Sequence, residues 1–176
     1  MRRLILILAI LVGGFLLYKL VSYKEPSFEK VDLYRGAVNV YNTTDQEFLD
    51  TIIYVGLEHL DINDVIVILK PLEKTEQIED GGTLKAHIVG RDKQYIIYID
   101  ELGRKEAITV ISHELIHLKQ YYTGRLIVKN KMITWQHNSL PIEEWLLVSY
   151  NNRPWEQEAF QEQGKLRDHI VFELYQ

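Results

Sequence analysis

No cysteine occurs among the 176 residues. That absence excludes disulfides, thiolate zinc sites, a cysteine nucleophile and a lipid-modified N-terminal cysteine, and it leaves the redox compartment open. No excess of positive charge is present either. The formal net charge is -5, with acidic and basic residues interspersed, so no nucleic-acid-binding footprint is visible. No internal repeat or low-complexity tract is found, and the length suits one compact domain plus an appendage. Hydrophobic residues make up 47% of the chain and charged residues 26%, enough for a real core inside a mostly soluble surface.

The longest apolar run lies at the start. Leu4 to Tyr18 is uninterrupted by charge and follows Arg2 and Arg3. Carried past Lys19 to Tyr23 it gives about 20 residues, or roughly 30 Å of helix, the thickness of a bilayer core. Lys19 and Lys24 can snorkel to headgroups, and Tyr18 and Tyr23 suit the interface. A cleaved signal sequence would need a small-x-small site, for which Val12-Gly13-Gly14 is poor. A buried helix would show a polar face, and none is seen. The expectation is therefore a retained anchor over residues 1–23, a juxtamembrane linker over 24–42 and a folded domain over 43–176. The basic N-terminus points to a single-pass protein with its domain outside the cytoplasm.

Within the domain, the spacing of Phe48, Ile52, Val55 and Leu60 predicts a helix over 45–60. Asp64 to Leu69 reads as a strand, and Lys74 to Gly82 as a surface loop. Lys85 to Val89 and Gln94 to Asp100 read as a hairpin around Gly90-Arg91-Asp92-Lys93. A long helix is expected from about Arg104 to Tyr122, stopped at Thr123-Gly124. Leu126 to Val128 and Met132 to Trp135 suggest a small hairpin across Asn130-Lys131, and Pro154 opens a last helix.

The long helix carries Ile111-Ser-His-Glu-Leu-Ile-His-Leu-Lys-Gln120, which contains H-E-x-x-H. Positions i and i+4 share a helix face, so His113 and His117 can point ring nitrogens at one metal ion. Glu114 stands one position on, where it can reach a water on that metal and take its proton as general base. The apolar stripe Ile108, Ile111, Leu115, Leu118 and Tyr122 lies roughly opposite. One face would thus be buried while the other offers the histidines to a cleft.

A catalytic zinc site needs a third protein ligand. The H-x-x-G-x-x-H continuation of metzincins is excluded, because Gln120 and Thr123 occupy its positions. Glu156 and Glu158, at the start of the last helix, remain. They flank the stripe Trp155, Ala159, Leu166 and Ile170 on opposite sides, so periodicity does not choose between them. Either could serve only as an N-terminal charge favouring the helix dipole.

H-E-x-x-H followed by Trp155-Glu156-Gln157-Glu158-Ala159 resembles the gluzincin metallopeptidases, the H-E-x-x-H…E zinc peptidases, and the small size resembles their minimal members. The pattern is also similar to small H-E-x-x-H proteins of phage and bacterial genomes. In gluzincins the metal glutamate stands three residues before the alanine. The resemblance therefore implies His113, His117 and Glu156 as zinc ligands and Glu114 as base. It implies an α+β fold with a small, mostly antiparallel sheet on the H-E-x-x-H helix, a second helix bringing the third ligand, and a peptide or protein substrate. Phe160 departs from the Asp or Asn the family often has after the alanine, a place Glu158 or Gln157 could fill. The interval from His117 to Glu156 is longer than in thermolysin-like enzymes. Tyr150 and His137 fall inside it and could donate to an oxyanion. Tyr95 to Ile99 reads either as an edge strand that pairs with an extended substrate or as a central strand buried on both faces. Two other functions fit the same residues: a catalytically silent binding or structural module of an envelope or virion, and a zinc amidase acting on cell-wall peptide.

Overall fold

The computed structural model describes residues 38–73 and 83–176. The expected anchor over 1–23, most of the linker and the 74–82 loop lie outside the described residues. Among the described residues no helix is long and apolar enough to cross a membrane.

The domain is α+β. Its main sheet is built from β1 (Val38–Asn42), β2 (Val65–Pro71), β3 (Ala86–Arg91) and β4 (Gln94–Ile99), in the order β1-β2-β4-β3. Here the expectation of a mostly antiparallel sheet needs correction: β1 pairs with β2 in parallel, β2 with β4 in parallel, and only β3 with β4 is antiparallel. The physical reason is visible in β2. Val65, Ile66 and Val67 are all fully buried in succession, with no alternation of inside and outside. A strand covered on both faces reads as a continuous branched run, which is the habit of parallel strands. Val38 to Asn42, counted in the sequence as the end of the linker, is a strand of this sheet.

Between β1 and β2 runs α1 (Phe48–His59), which buries Leu49, Ile52, Ile53 and Leu57. After β4 comes α2 (Arg104–Tyr122), with the bounds read from the sequence. It ends as expected: Gly124 takes φ 69, its N–H bonds Tyr121 O at 3.0 Å, and Arg125 N–H bonds Gln120 O at 2.9 Å. This pair of bonds is the glycine-terminated helix stop that satisfies the last carbonyls. A second, three-stranded antiparallel sheet follows, with β5 (Leu126–Lys129), β6 (Met132–Trp135) and β7 (Asn138–Pro141). Then come a short α3 (Ile142–Leu146), a single 3-10 turn (Tyr150–Asn152) and α4 (Pro154–Leu174), with Pro154 in its first turn. The three hairpin turns place Asp92-Lys93, Asn130-Lys131 and Gln136-His137 at positive φ. Such paired left-handed residues match the twist of two-residue hairpins.

Two hydrophobic clusters result. The larger one gathers α1, one face of the main sheet, α2 and α4, through residues such as Leu57, Val67, Ile97, Ile111, Leu115 and Ile170. Helices α1, α2 and α4 approach one another at Gly56. A Cβ there would fall 2.3 Å from Leu115 Cδ1 and 3.4 Å from Ile170 Cδ1. The smaller cluster is aromatic: Trp135, Trp145 and Trp155 with Leu126. It joins the three-stranded sheet to the first turn of α4. The Trp145 and Trp155 rings meet edge to face at 4.8 Å between centroids.

Candidate metal centre

The H-E-x-x-H helix is buried on both sides. Every residue from Ile111 to Leu118 is buried, the histidines included. The expectation of one buried face and one face offered to a cleft holds in part: α4 packs over the histidine face of α2, while Glu114 and His117 still line a cavity there. That packing brings Glu156 against the histidines. His113 Nε2 and His117 Nε2 are 3.1 Å apart, and each is 3.2 Å from Glu156 Oε2. His113, His117 and Glu156 are between 6% and 8% exposed. They are the group of ligand-type side chains, among the described residues, that could hold a metal ion.

The hydrogen bonds behind the triangle test that reading. His113 Nδ1 lies 2.9 Å from Gln163 Oε1, and His117 Nδ1 lies 2.8 Å from Gln120 Oε1. The orientation of the Gln120 amide is fixed by its other end, since Nε2 donates to Trp155 O at 2.9 Å and to Glu158 Oε1 at 3.3 Å. His117 therefore gives its Nδ1 proton to the Gln120 oxygen, and the Gln163 oxygen stands in the matching place behind His113. With both rings neutral and protonated on Nδ1, two Nε2 lone pairs would converge with a carboxylate oxygen, the arrangement a cation satisfies. Ligands at about 2.0–2.1 Å in a tetrahedron stand about 3.3–3.4 Å apart, and the observed edges fall within about 0.3 Å of that. The donor set, two imidazoles and one carboxylate with no sulfur, suits a catalytic zinc site with one open position.

Charges respond to this crowding. Burial alone would lower His117, but the hydrogen bond and charge of Glu156, with Glu114 and Gln120, outweigh it and hold the imidazolium up to about 9. Burial pushes Glu156 upward, yet the bonds from His113 and His117 bring it down to about 2. Without a metal, a proton shared with His117 does the work of the cation. Glu114 is not one of the three. Its carboxyl is held above the usual range first by burial and further by the Glu156 charge, against the pull of both histidines and a backbone hydrogen bond from Ile88.

The remaining expected residues divide. Tyr150 hydrogen-bonds Glu156, and its hydroxyl is raised well above the usual range by burial and by the Glu156 charge. It lines a cavity of about 120 Å³ together with Glu114, His117, Glu156 and Ile88. His137 stands in the exposed β6–β7 turn and is not among the residues lining that cavity. Glu158 turns away to Arg125, with Nη1 to Oε1 at 2.9 Å and a second bond from Nη2 to Oε2. Phe160 places its ring 4.8 Å from that of His113. Gln163 supports His113 and was missed from the sequence. Its signal was available: it stands seven residues, two helical turns, after Glu156 and so on the same face. The strand beside the cavity is β3, which edges the sheet, whereas Tyr95 to Ile99 lies in β4 between β2 and β3.

Compared with known proteins, the chain matches no family model, no curated protein sequence and no solved structure.

Proposed function

We propose that this chain is a zinc-dependent peptidase of gluzincin type, carried on a membrane by residues 1–23 with its domain outside the cytoplasm. The observation that carries the reading is the division of labour within one motif. His113 and His117 complete a three-ligand triangle with Glu156, while Glu114, between them in sequence, is left out of it and faces the adjoining cavity. Zinc held by such a set supplies Lewis acidity, acidifying water and polarising a carbonyl. Glu114 then accepts a proton from the attacking water. It then passes that proton to the leaving amine as the amide bond breaks. Tyr150, kept protonated, has a hydroxyl to donate to the oxygen on which negative charge develops. On the β3 edge, the backbone groups not paired with β4 offer hydrogen bonds to an extended peptide, apart from the Ile88 group already given to Glu114.

The test compares wild type with Glu114→Gln at equal zinc content on one peptide library. Both should fold and hold zinc, and cleavage should fall about 100-fold to 10,000-fold in the variant. Equal cleavage by both would point to another base or a contaminant. No cleavage by either, at full zinc, would turn the reading towards a binding module or a non-peptide amide. Attachment is tested separately: the full chain should stay with membranes through a high-salt wash, and deletion to Tyr23 should release it. A mature N-terminus beyond Gly14 would mean a cleaved signal sequence instead.

A further inference from the structure

A second and larger cavity, about 470 Å³, opens beside the metal centre. It is lined by the β3–β4 turn from Gly90 to Lys93, by Tyr95, Tyr121 and Tyr122, and by β5 from Leu126 to Lys129. Tyr121 and Leu126 line both this cavity and the one at Glu114, so the two adjoin across those side chains. Their walls are two sheet edges. β3 ends the main sheet and β5 ends the three-stranded sheet, and the larger cavity is lined by the end of β3 at Gly90 and Arg91 and by β5 from Leu126 to Lys129.

Register gives the distance from the chemistry. Ile88 is the β3 residue that bonds Glu114, and Arg91 lies three residues further, roughly 10 Å along a strand. Gly90 keeps the cavity open. A Cβ there would lie 2.3 Å from Tyr95 Cδ1, so any side chain would displace a ring that lines the wall. The rim is cationic. Arg91, Lys93 and Lys129 stand against Asp92, to which Arg91 bridges, and Asp64, which pairs with Lys93: three cations to two carboxylates.

We propose that this cavity is a specificity subsite, which takes a large aromatic or aliphatic side chain two or three residues from the cleaved bond of an extended peptide lying between β3 and β5. The three tyrosines and the β5 side chains receive that residue, and the cationic rim favours an acidic neighbour. The inference rests on the peptidase reading above, and its test is arranged to separate the two.

The full chain is assayed on a positional-scanning peptide library in two ways: cleavage by the wild type, read by mass spectrometry, and binding to zinc-loaded Glu114→Gln, read by fluorescence anisotropy. One position two or three residues from the cleaved bond should prefer large apolar residues by about tenfold or more. Val128→Trp, which fills the cavity, should flatten that preference and leave the preferences at other positions intact. Lys129→Glu, an exposed change that leaves packing alone, should reverse the preference for a neighbouring acid. A flat profile at that position in the wild type, or an unchanged profile in both variants, overturns the subsite. Selective binding without any cleavage keeps the subsite and overturns the peptidase reading. Neither cleavage nor selective binding overturns both.

Discussion

The aliphatic core and the tryptophan cluster hold opposite sides of one site by different means. Beneath the histidines, Ile111, Leu115 and their neighbours are fully buried among β-branched and leucine side chains from three helices and a sheet. Beneath Glu156, the support is Trp155, wedged between Trp135 and Trp145, with the rings 6.3 Å and 4.8 Å away. The first support is continuous with the fold as a whole. The second is local, and belongs to a small sheet that would bury little without it. The lesson is that two ligands come preset on one helix, whereas the third depends on how a separate aromatic unit seats the first turn of α4.

The largest expected effect comes from breaking the first support. Leu115→Ala should cost about 2–5 kcal/mol of global stability, since it opens a cavity where three helices meet. Denaturant unfolding should show one transition, shifted to lower concentration. Trp145→Ala breaks the second support and should divide the two regions. The global midpoint should move less than half as far as in Leu115→Ala, while zinc should dissociate about tenfold faster as Glu156 loses its seat. Stopped-flow chelation alongside the same unfolding curve checks both numbers, and equal shifts in the two variants would mean that the regions are one cooperative unit.

A smaller effect sharpens the comparison at the junction. Gln120 joins His117 to Trp155 O and to the Glu158–Arg125 pair, and the Arg125 guanidinium lies 5.0 Å from the Trp135 ring centroid. Gln120→Ala should weaken zinc binding by about 10-fold to 100-fold, as loss of a residue that orients a metal histidine does. Gln163→Ala, which frees His113 without touching the aromatic unit, should cost zinc affinity within the same range and leave tryptophan fluorescence unchanged.

Smallest per step is the response to pH. An ion binding at the triangle would have to displace the proton that His117 keeps up to about 9. Affinity should therefore rise about tenfold per pH unit up to about 9 and then level. For the zinc-free chain the signs run differently. The raised His117 contributes stability that is full below its unfolded value near 6.5 and lost as pH climbs through about 9. The lowered Glu156 contributes stability present above about 4.5 and lost as pH falls through about 2. Thermal melts with and without chelator should thus have optima on opposite sides of neutrality.

Local signals in the sequence carried over well. The H-E-x-x-H helix, its glycine stop, the Asp92-Lys93 and Asn130-Lys131 turns and the proline start of α4 are each set by residues close in the chain. Long-range pairing was not legible. Nothing near β2 says that its neighbours are β1 and β4 running parallel, although its unbroken Val-Ile-Val-Ile-Leu run hints at cover on both faces. Strand β7 escaped because Asn138 to Pro141 lacks alternation and Gln136-His137 is an unusual pair for its turn. At the site, periodicity left Glu156 and Glu158 open. The structure separates them by their partners, one with the histidines and the other with Arg125.

A chain without cysteine has no covalent staple, yet the triangle of ligands offers one of another kind. His117 and Glu156 are 39 residues apart, and the intervening stretch includes the whole three-stranded sheet and the tryptophans at positions 135, 145 and 155. An ion shared by those two side chains closes a ring in the chain. By the relation used for disulfides, closing a ring of that size removes about 4 kcal/mol of unfolded-state freedom at room temperature. The metal would then be fastener as well as reagent, tying down the part of the molecule least able to hold itself.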